Sequence, residues 1–197
     1  VDFAIITVPF QDIPAAMEDY AQKGAKAALI ISGGFAEAGG EGAKIEQEVV
    51  EIARRGRIRF IGPNCGGHLN TFSDLFTAPY LPPMRKGPVA FVSQSGNLGL
   101  VVLAMGWEMG LGFSKYISSG NEADLHFEDY LEYLAQDDET RVILGYIEGL
   151  RESKRFLELA WKITKRKPIV ITKVGCTEVG ARAALSHTAA LLVNTDG

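Results

Sequence analysis

Val89-Ala90-Phe91-Val92-Ser93-Gln94-Ser95-Gly96-Asn97-Leu98-Gly99 is the stretch on which the fold of this chain turns. An apolar run of strand length passes straight into hydroxyls, an amide and glycine, and residues 98–109 then take helical spacing. A strand that enters a helix through such a turn is the repeating unit of an α/β sheet. Its strand is apolar throughout because helices cover both faces of a parallel sheet. Outward toward the C-terminus the alternation continues, with strands at 113–117, 142–147 and 169–172 and helices at 126–135 and 153–165. Toward the N-terminus strands at 3–8, 27–31 and 58–61 enclose helices at 13–23 and 41–55. Between 74 and 88 the pattern breaks, where Pro79, Pro82, Pro83, Gly87 and Pro88 interrupt any helix or central strand. The break predicts two α/β units in tandem, with the boundary between residues 74 and 88.

Composition narrows the function. With 47% hydrophobic and 22% charged residues the chain has the profile of a globular protein. Twenty basic against 24 acidic side chains leave a net charge of −4, and neither sign collects into a run, so the footprint of a nucleic-acid binder is missing. No apolar stretch reaches the roughly 18–20 residues that cross a bilayer, and no basic, then apolar leader opens the chain. A cytoplasmic protein without membrane or nucleic-acid partners is expected. Cys65 and Cys176 stand far apart in no C-x-x-C spacing, which suggests neither a disulfide scaffold nor a metal site. The chain opens on an apolar run without an initiating methionine, as though cut inside a domain.

In doubly wound sheets chemistry gathers just beyond the carboxyl ends of the strands. In the turn from Ser93 through Ser95, Gly96 and Asn97, tight backbone, hydroxyls and the positive end of a helix dipole suit a phosphate. An ordinary capped turn explains it equally well in isolation. Ser118-Ser119-Gly120-Asn121 repeats the arrangement after the next strand. Glu148 follows another strand, where a lone carboxylate is more often a helix-terminal or solvated charge. His187 lies in a segment of small residues after the last strand, flanked by Ser186 and Thr188, and so could present a nucleophilic nitrogen. An isolated histidine is more often a bystander. In the first unit the strands end at Val8-Pro9, Ser32-Gly33-Gly34-Phe35 and Gly62-Pro63-Asn64-Cys65, along one edge of a nucleotide-type crevice. His68 and His126 read as surface or capping residues, and residues 128–139 as a solvated helix and its exit.

Taken in order, Gly62-Pro63-Asn64-Cys65, Ser93-Gln94-Ser95-Gly96, Ser119-Gly120-Asn121-Glu122-Ala123-Asp124, Tyr146-Ile147-Glu148-Gly149 and Ser186-His187-Thr188 resemble the signatures of the ADP-forming acyl-CoA synthetases. That family is related to the alpha subunit of succinyl-CoA synthetase. The resemblance implies a partial Rossmann-like CoA-binding domain over residues 1–85, its N-terminal part missing, and a flavodoxin-like ligase domain over 86–197. It implies reversible conversion of acyl-CoA, NDP and phosphate into carboxylic acid, CoA and NTP through an acyl phosphate and a phosphohistidine at His187, oriented by Glu148. Phosphate would lie on Ser93, Ser95, Gly96, Asn97, Ser119, Gly120 and Asn121, and CoA along Val8, Pro9, Ile31, Ser32, Gly33, Asn64 and Cys65. ADP or ATP with magnesium would bind a partner ATP-grasp (beta) domain or subunit in a hetero- or homo-oligomer. The sequence departs from the family where Ala189 follows Thr188 in place of a glycine, and Leu100 replaces a tyrosine near the succinate site, which favours another acid. Two alternatives keep part of the pattern: an acyl-CoA-sensing module of a protein acetyltransferase, which tends to lack the carrier histidine, and a flavodoxin-like cofactor-binding domain.

Overall fold

The computed structural model describes residues 1–77 and 84–175. The first sheet holds β1 (Phe3–Ile6), β2 (Ala27–Ile30) and β3 (Arg59–Ile61), all parallel in the order β1-β2-β3. Helices α1 (Ile13–Gln22) and α2 (Gly40–Gly56) complete the crossovers. Ile13 and Met17 from α1 and Val49, Ile52 and Ala53 from α2 pack with Ala4, Ile6, Ala28, Ile30 and Phe60 of the strands. In β1 Ala4 and Ile6 are buried while Phe3 and Ile5 are 36% and 46% exposed, so one face of this strand stays uncovered among the described residues. Its fully apolar sequence had implied cover on both faces.

The second sheet has six strands: β4 (His68–Asn70), β5 (Leu75–Phe76), β6 (Lys86–Ser93), β7 (Phe113–Ser118), β8 (Val142–Ile147) and β9 (Ile169–Lys173). Their order is β5-β4-β7-β6-β8-β9, parallel from β7 to β9, with β4 antiparallel to both β7 and β5. Helices α4 (Phe127–Gln136) and α5 (Ser153–Ile163) cover one face through a core of Val92, Ile117, Phe127, Leu131, Ile143 and Ile163. Helix α3 (Gly96–Glu108) covers the other, where Leu103 meets Phe91, Phe113 and Tyr116. The parallel α/β architecture matches the pattern of the sequence. Each helix and each longer strand begins within a few residues of its expected position.

Three features depart from expectation. Strand β6 runs through Gly87 and Pro88 instead of stopping there, because register shifts near Val89 form an irregularity that tolerates proline. A Cβ on Gly87 would lie 2.3 Å from the Gly112 backbone, so only glycine permits this crossing. Strands β4 and β5, drawn from residues ahead of the first proline of the break, join the second sheet and not the first. The segment 128–139 is not simply solvated. Glu128 is fully buried and accepts from the Glu152 N–H (3.1 Å), while Asp137 and Glu139 both hold the buried Lys115 Nζ at 2.7 Å.

Strand β6 lies between β7 and β8, so the chain reverses its winding direction across it. The crevice of a doubly wound sheet opens at such a switch point, beyond the carboxyl ends of the strands. Here that places it over Ser93 and the turn that follows.

Candidate active site

The Ser93 turn is rigid. Ser95 caps α3, its Oγ accepting from the Leu98 N–H at 3.4 Å, and Ser93 Oγ donates to the Ser95 carbonyl at 2.7 Å. The first-turn N–H groups of Gly96 and Asn97 have no intrahelical acceptor by the geometry of any α-helix, and they form the positive end of the α3 dipole. Ser93 and Ser95 are buried and Asn97 is exposed. The arrangement can hold an anion at the mouth of the helix.

Gln94 ties this turn to Glu148. Its Oε1 accepts from the Glu148 N–H (2.6 Å) and the Gly149 N–H (3.0 Å), and its Nε2 donates to the Gly149 carbonyl (2.7 Å). Glu148 is only 2% exposed at the end of β8. Burial, and secondarily the nearby Glu148 charge, raise the pKa of the neighbouring Tyr146. On the other side the Ser119 N–H donates to the Ser93 carbonyl (2.9 Å), so the ends of β6, β7 and β8 form one edge. Ser119 Oγ donates to Glu122 Oε1 at 2.6 Å, and Glu122 Oε2 accepts from the Phe127 N–H at 3.1 Å. Burial pushes the Glu122 carboxyl up to about 7, against the lowering effect of hydrogen bonds from Ser119, Gln94 and Phe127.

The first unit's edge meets the second here. Ser32 Oγ donates to the Val8 carbonyl at 2.5 Å, and the Asn64 N–H donates to the Ser32 carbonyl at 2.9 Å. A Cβ on Gly33 would approach Asn64 Oδ1 to 3.0 Å. Val8, Pro9 and Gly33 are exposed, and Ile31, Ser32 and Asn64 half-buried. Cys65 turns inward: its Sγ donates to the Ile30 carbonyl at 3.2 Å, and burial pushes the thiol up to about 12, so only its backbone belongs to the edge. The Gly66 N–H donates to Ser118 Oγ at 2.7 Å, and the Asn121 N–H donates to the Pro63 carbonyl at 2.9 Å. Gly120, at φ +63, would drive a Cβ to within 2.1 Å of that carbonyl.

The structure therefore brings together Val8, Ser32, Gly33, Asn64, Ser93, Ser95, Gly96, Ser119, Gly120, Asn121 and Glu148 along one continuous edge. The hydroxyls of Ser93 and Ser119 donate within the protein, and the Asn121 amide donates to Glu37 Oε2 (2.5 Å) and Glu46 Oε2 (2.8 Å) of the first unit. His187 and Cys176 lie outside the described residues. His126 precedes α4 and its N–H donates to Asp129 Oδ2, as a capping residue should. His68 is not a surface residue: it sits in β4 with its ring against Phe3, and burial lowers its pKa. Sequence reading missed Gln94 as a tie, Glu122, Glu37 and Glu46. Glu46 left a trace, since it shares a helical face with Val49 and Ala53 where an apolar residue is the norm.

Comparison with known proteins agrees with this layout. The profile of the succinyl-CoA ligase-like flavodoxin domain matches residues 86–196, and that of a CoA-binding domain matches residues 1–71. The chain is 47% identical, over 97% of its length, to 42% of the alpha subunit of ADP-forming acetate–CoA ligase II of Pyrococcus furiosus. It is 46% identical, again over 97% of its length, to 28% of ADP-forming acetate–CoA ligase I of Archaeoglobus fulgidus. Among solved structures, the acetyl-coenzyme A synthetase 1 of Candidatus Korarchaeum cryptofilum, in complex with phosphate and ADP, superposes with a TM-score of 0.91 at 37% identity, covering 98% of this chain and 42% of that one. The chain thus spans less than half the length of each of these relatives. By its matched domains, the chain belongs to the succinyl-CoA ligase-like flavodoxin family, with a CoA-binding domain ahead of the flavodoxin-like one.

Proposed function

We propose that the protein carrying this chain is an ADP-forming acyl-CoA synthetase acting on a small carboxylic acid such as acetate, the acid in the names of its relatives. The observation that carries this reading is the continuous edge from Val8 and Ser32 through Asn64 to the Ser95 turn and Glu148. A thioester laid along the first unit would bring its carbonyl to a phosphate held at the α3 N-terminus.

In this reading a phosphate oxygen attacks the thioester carbon, the C–S bond breaks and CoA leaves as thiol. The acyl phosphate then gives its phosphoryl to a ring nitrogen of His187, releasing the carboxylate, and the phosphohistidine passes the group to ADP. The backbone N–H groups of Gly96 and Asn97, with the Ser95 cap and the α3 dipole, stabilise charge on the phosphoryl oxygens. Ser93 and Ser119 hold the two turns in shape, and Gly120 lets them close on the first unit. Glu148, fixed by Gln94, steadies the imidazole tautomer and the positive charge that grows on it. Val8, Pro9, Ile31, Ser32, Gly33 and Asn64, with the Cys65 backbone, line the CoA path. Residues 1–85 carry the CoA-binding unit and 86–197 the ligase unit, with β4 and β5 of the former completing the sheet of the latter. Magnesium nucleotide belongs to an ATP-grasp domain, fused or separate, and the protein works in the cytoplasm.

The test is phosphoenzyme formation by the full-length protein. Supplied with labelled ATP, or with labelled phosphate and acyl-CoA, it should form an acid-labile, base-stable adduct that His187→Ala abolishes. Label that persists in His187→Ala removes the histidine from the mechanism. Glu148→Gln should slow labelling while leaving CoA affinity within about two-fold.

A further inference from the structure

Asn121 falls in a turn whose composition suits phosphate, yet its side chain faces the other way. Its single Nδ2 donates to Glu37 Oε2 at 2.5 Å and to Glu46 Oε2 at 2.8 Å, and its Oδ1 accepts from Asn64 Nδ2 at 3.3 Å. Each partner comes from a different segment of the first unit: Glu37 follows β2, Glu46 lies in α2 and Asn64 follows β3. Glu37 is itself anchored at the CoA edge, where its Oε1 accepts from the Gly34 N–H at 2.6 Å and the Phe35 N–H at 3.2 Å. Asn121 is 8% exposed and Glu46 also 8%, so these are largely dry contacts. Two carboxylates in one buried place repel unless a donor sits between them, and the amide supplies two N–H groups at that spot.

We infer that Asn121 is a positioning residue, not a phosphate ligand: its amide, clamped between Glu37 and Glu46, sets where the CoA edge stands relative to the phosphate turn. This rests on the reading proposed above. Burial and the Glu37 charge raise the Glu46 pKa, while the bond from the Asn121 amide, the Ala36 N–H and the Arg151 charge act to lower it. The role follows from what each step needs. Attack of phosphate on a thioester requires both edges in register within a fraction of an ångström. Phosphorylation of His187 from ATP takes place at the ATP-grasp domain and needs neither edge in register with the other.

The two half-reactions of the full-length protein therefore separate the possibilities. With Asn121→Ala, enzyme labelling from acyl-CoA and labelled phosphate should fall by about a hundred-fold, with a raised KM for acyl-CoA. Labelling from ATP should stay within about three-fold of wild type. A direct phosphate ligand would instead raise the KM for phosphate and leave that for acyl-CoA unchanged, and that outcome, or no change in either route, overturns the inference. A second pair guards against a general folding defect. Asn121→Asp alone brings a third carboxylate to the site and should abolish the CoA-dependent route. Asn121→Asp combined with Glu46→Gln restores two carboxylates around one amide and should recover that route to within about ten-fold of wild type. Failure of the double variant to recover also overturns it. Wild-type protein that labels by neither route would sink the parent reading, and this one with it.

Discussion

The two sheets end in turns of opposite character. Two turns of the first, at Val8-Pro9 and Ser32-Gly33, are exposed or half-buried and thinly bonded, through Ser32 Oγ to the Val8 carbonyl and the Asn64 N–H to the Ser32 carbonyl. Those of the second, at Ser93–Ser95, Ser118–Glu122 and Glu148, are buried and linked to one another through Gln94, Ser119 and Glu122. An open edge suits a long ligand that lies along a surface and gains affinity over many weak contacts. A buried, fully bonded edge suits charge that develops in one place, because fixed dipoles there need no reorganisation. The same strand-to-helix architecture thus serves two tasks through the hydrogen bonding of its turns.

That contrast predicts a graded response to substitution. The largest effect should come where the two edges touch. Gly120→Ala forces a side chain onto the Pro63 carbonyl from a left-handed backbone, and should destabilise the protein by about 3–4 kcal/mol in urea unfolding. A loss below 1 kcal/mol would mean that the contact is soft. Next comes Glu122. Its folded pKa of about 7 lies above the ordinary 4.5, so folding takes up a proton between those values. Its contribution is complete below about pH 4.5 and is lost as pH rises through 7. Glu122→Gln should remove a fall in stability on the order of 3 kcal/mol across that window, read as the difference between wild-type and variant pH profiles. Coincident profiles would remove Glu122 from the buried network.

Gln94→Ala strips acceptors from the Glu148 and Gly149 N–H groups and should lower stability by about 2 kcal/mol while slowing His187 phosphorylation. An unchanged labelling rate would show that Glu148 holds its place without the tie. Ser32→Ala, on the open edge, should alter stability by less than about 1 kcal/mol. A larger loss there would break the distinction between the two kinds of turn.

The parallel units were legible because their signal is local. The apolar runs that became β2, β7 and β8, and the spacing that became α1 and α5, each fall within one short window. Strands β4 and β5 were not legible. They are three and two residues long, β4 is partly polar, and they exist because the edge of β7, some 40 residues onward, accepts β4 and β4 in turn accepts β5. Passage of β6 through Gly87 and Pro88 was hidden for the same reason, since the space for it is set by Gly112. At the site, the glycine and serine turns announced themselves, but the partners of their side chains did not. Nothing beside Asn121 in the sequence points to Glu37 or Glu46, which lie 84 and 75 positions away. Only the charge of Glu46 on an apolar helix face hinted at a buried partner.

The β4–β5 pair also governs how this protein can be divided. Cutting at the proline-rich stretch looks natural from composition, yet it would strip β7 of its outer neighbour and leave a row of unsatisfied backbone groups along that strand. Such a margin recruits other chains, so a ligase unit begun at Lys86 would tend to self-associate. The sound place to sever the molecule lies upstream of His68, and evolution has in effect sewn the hem of one unit with thread drawn from the other.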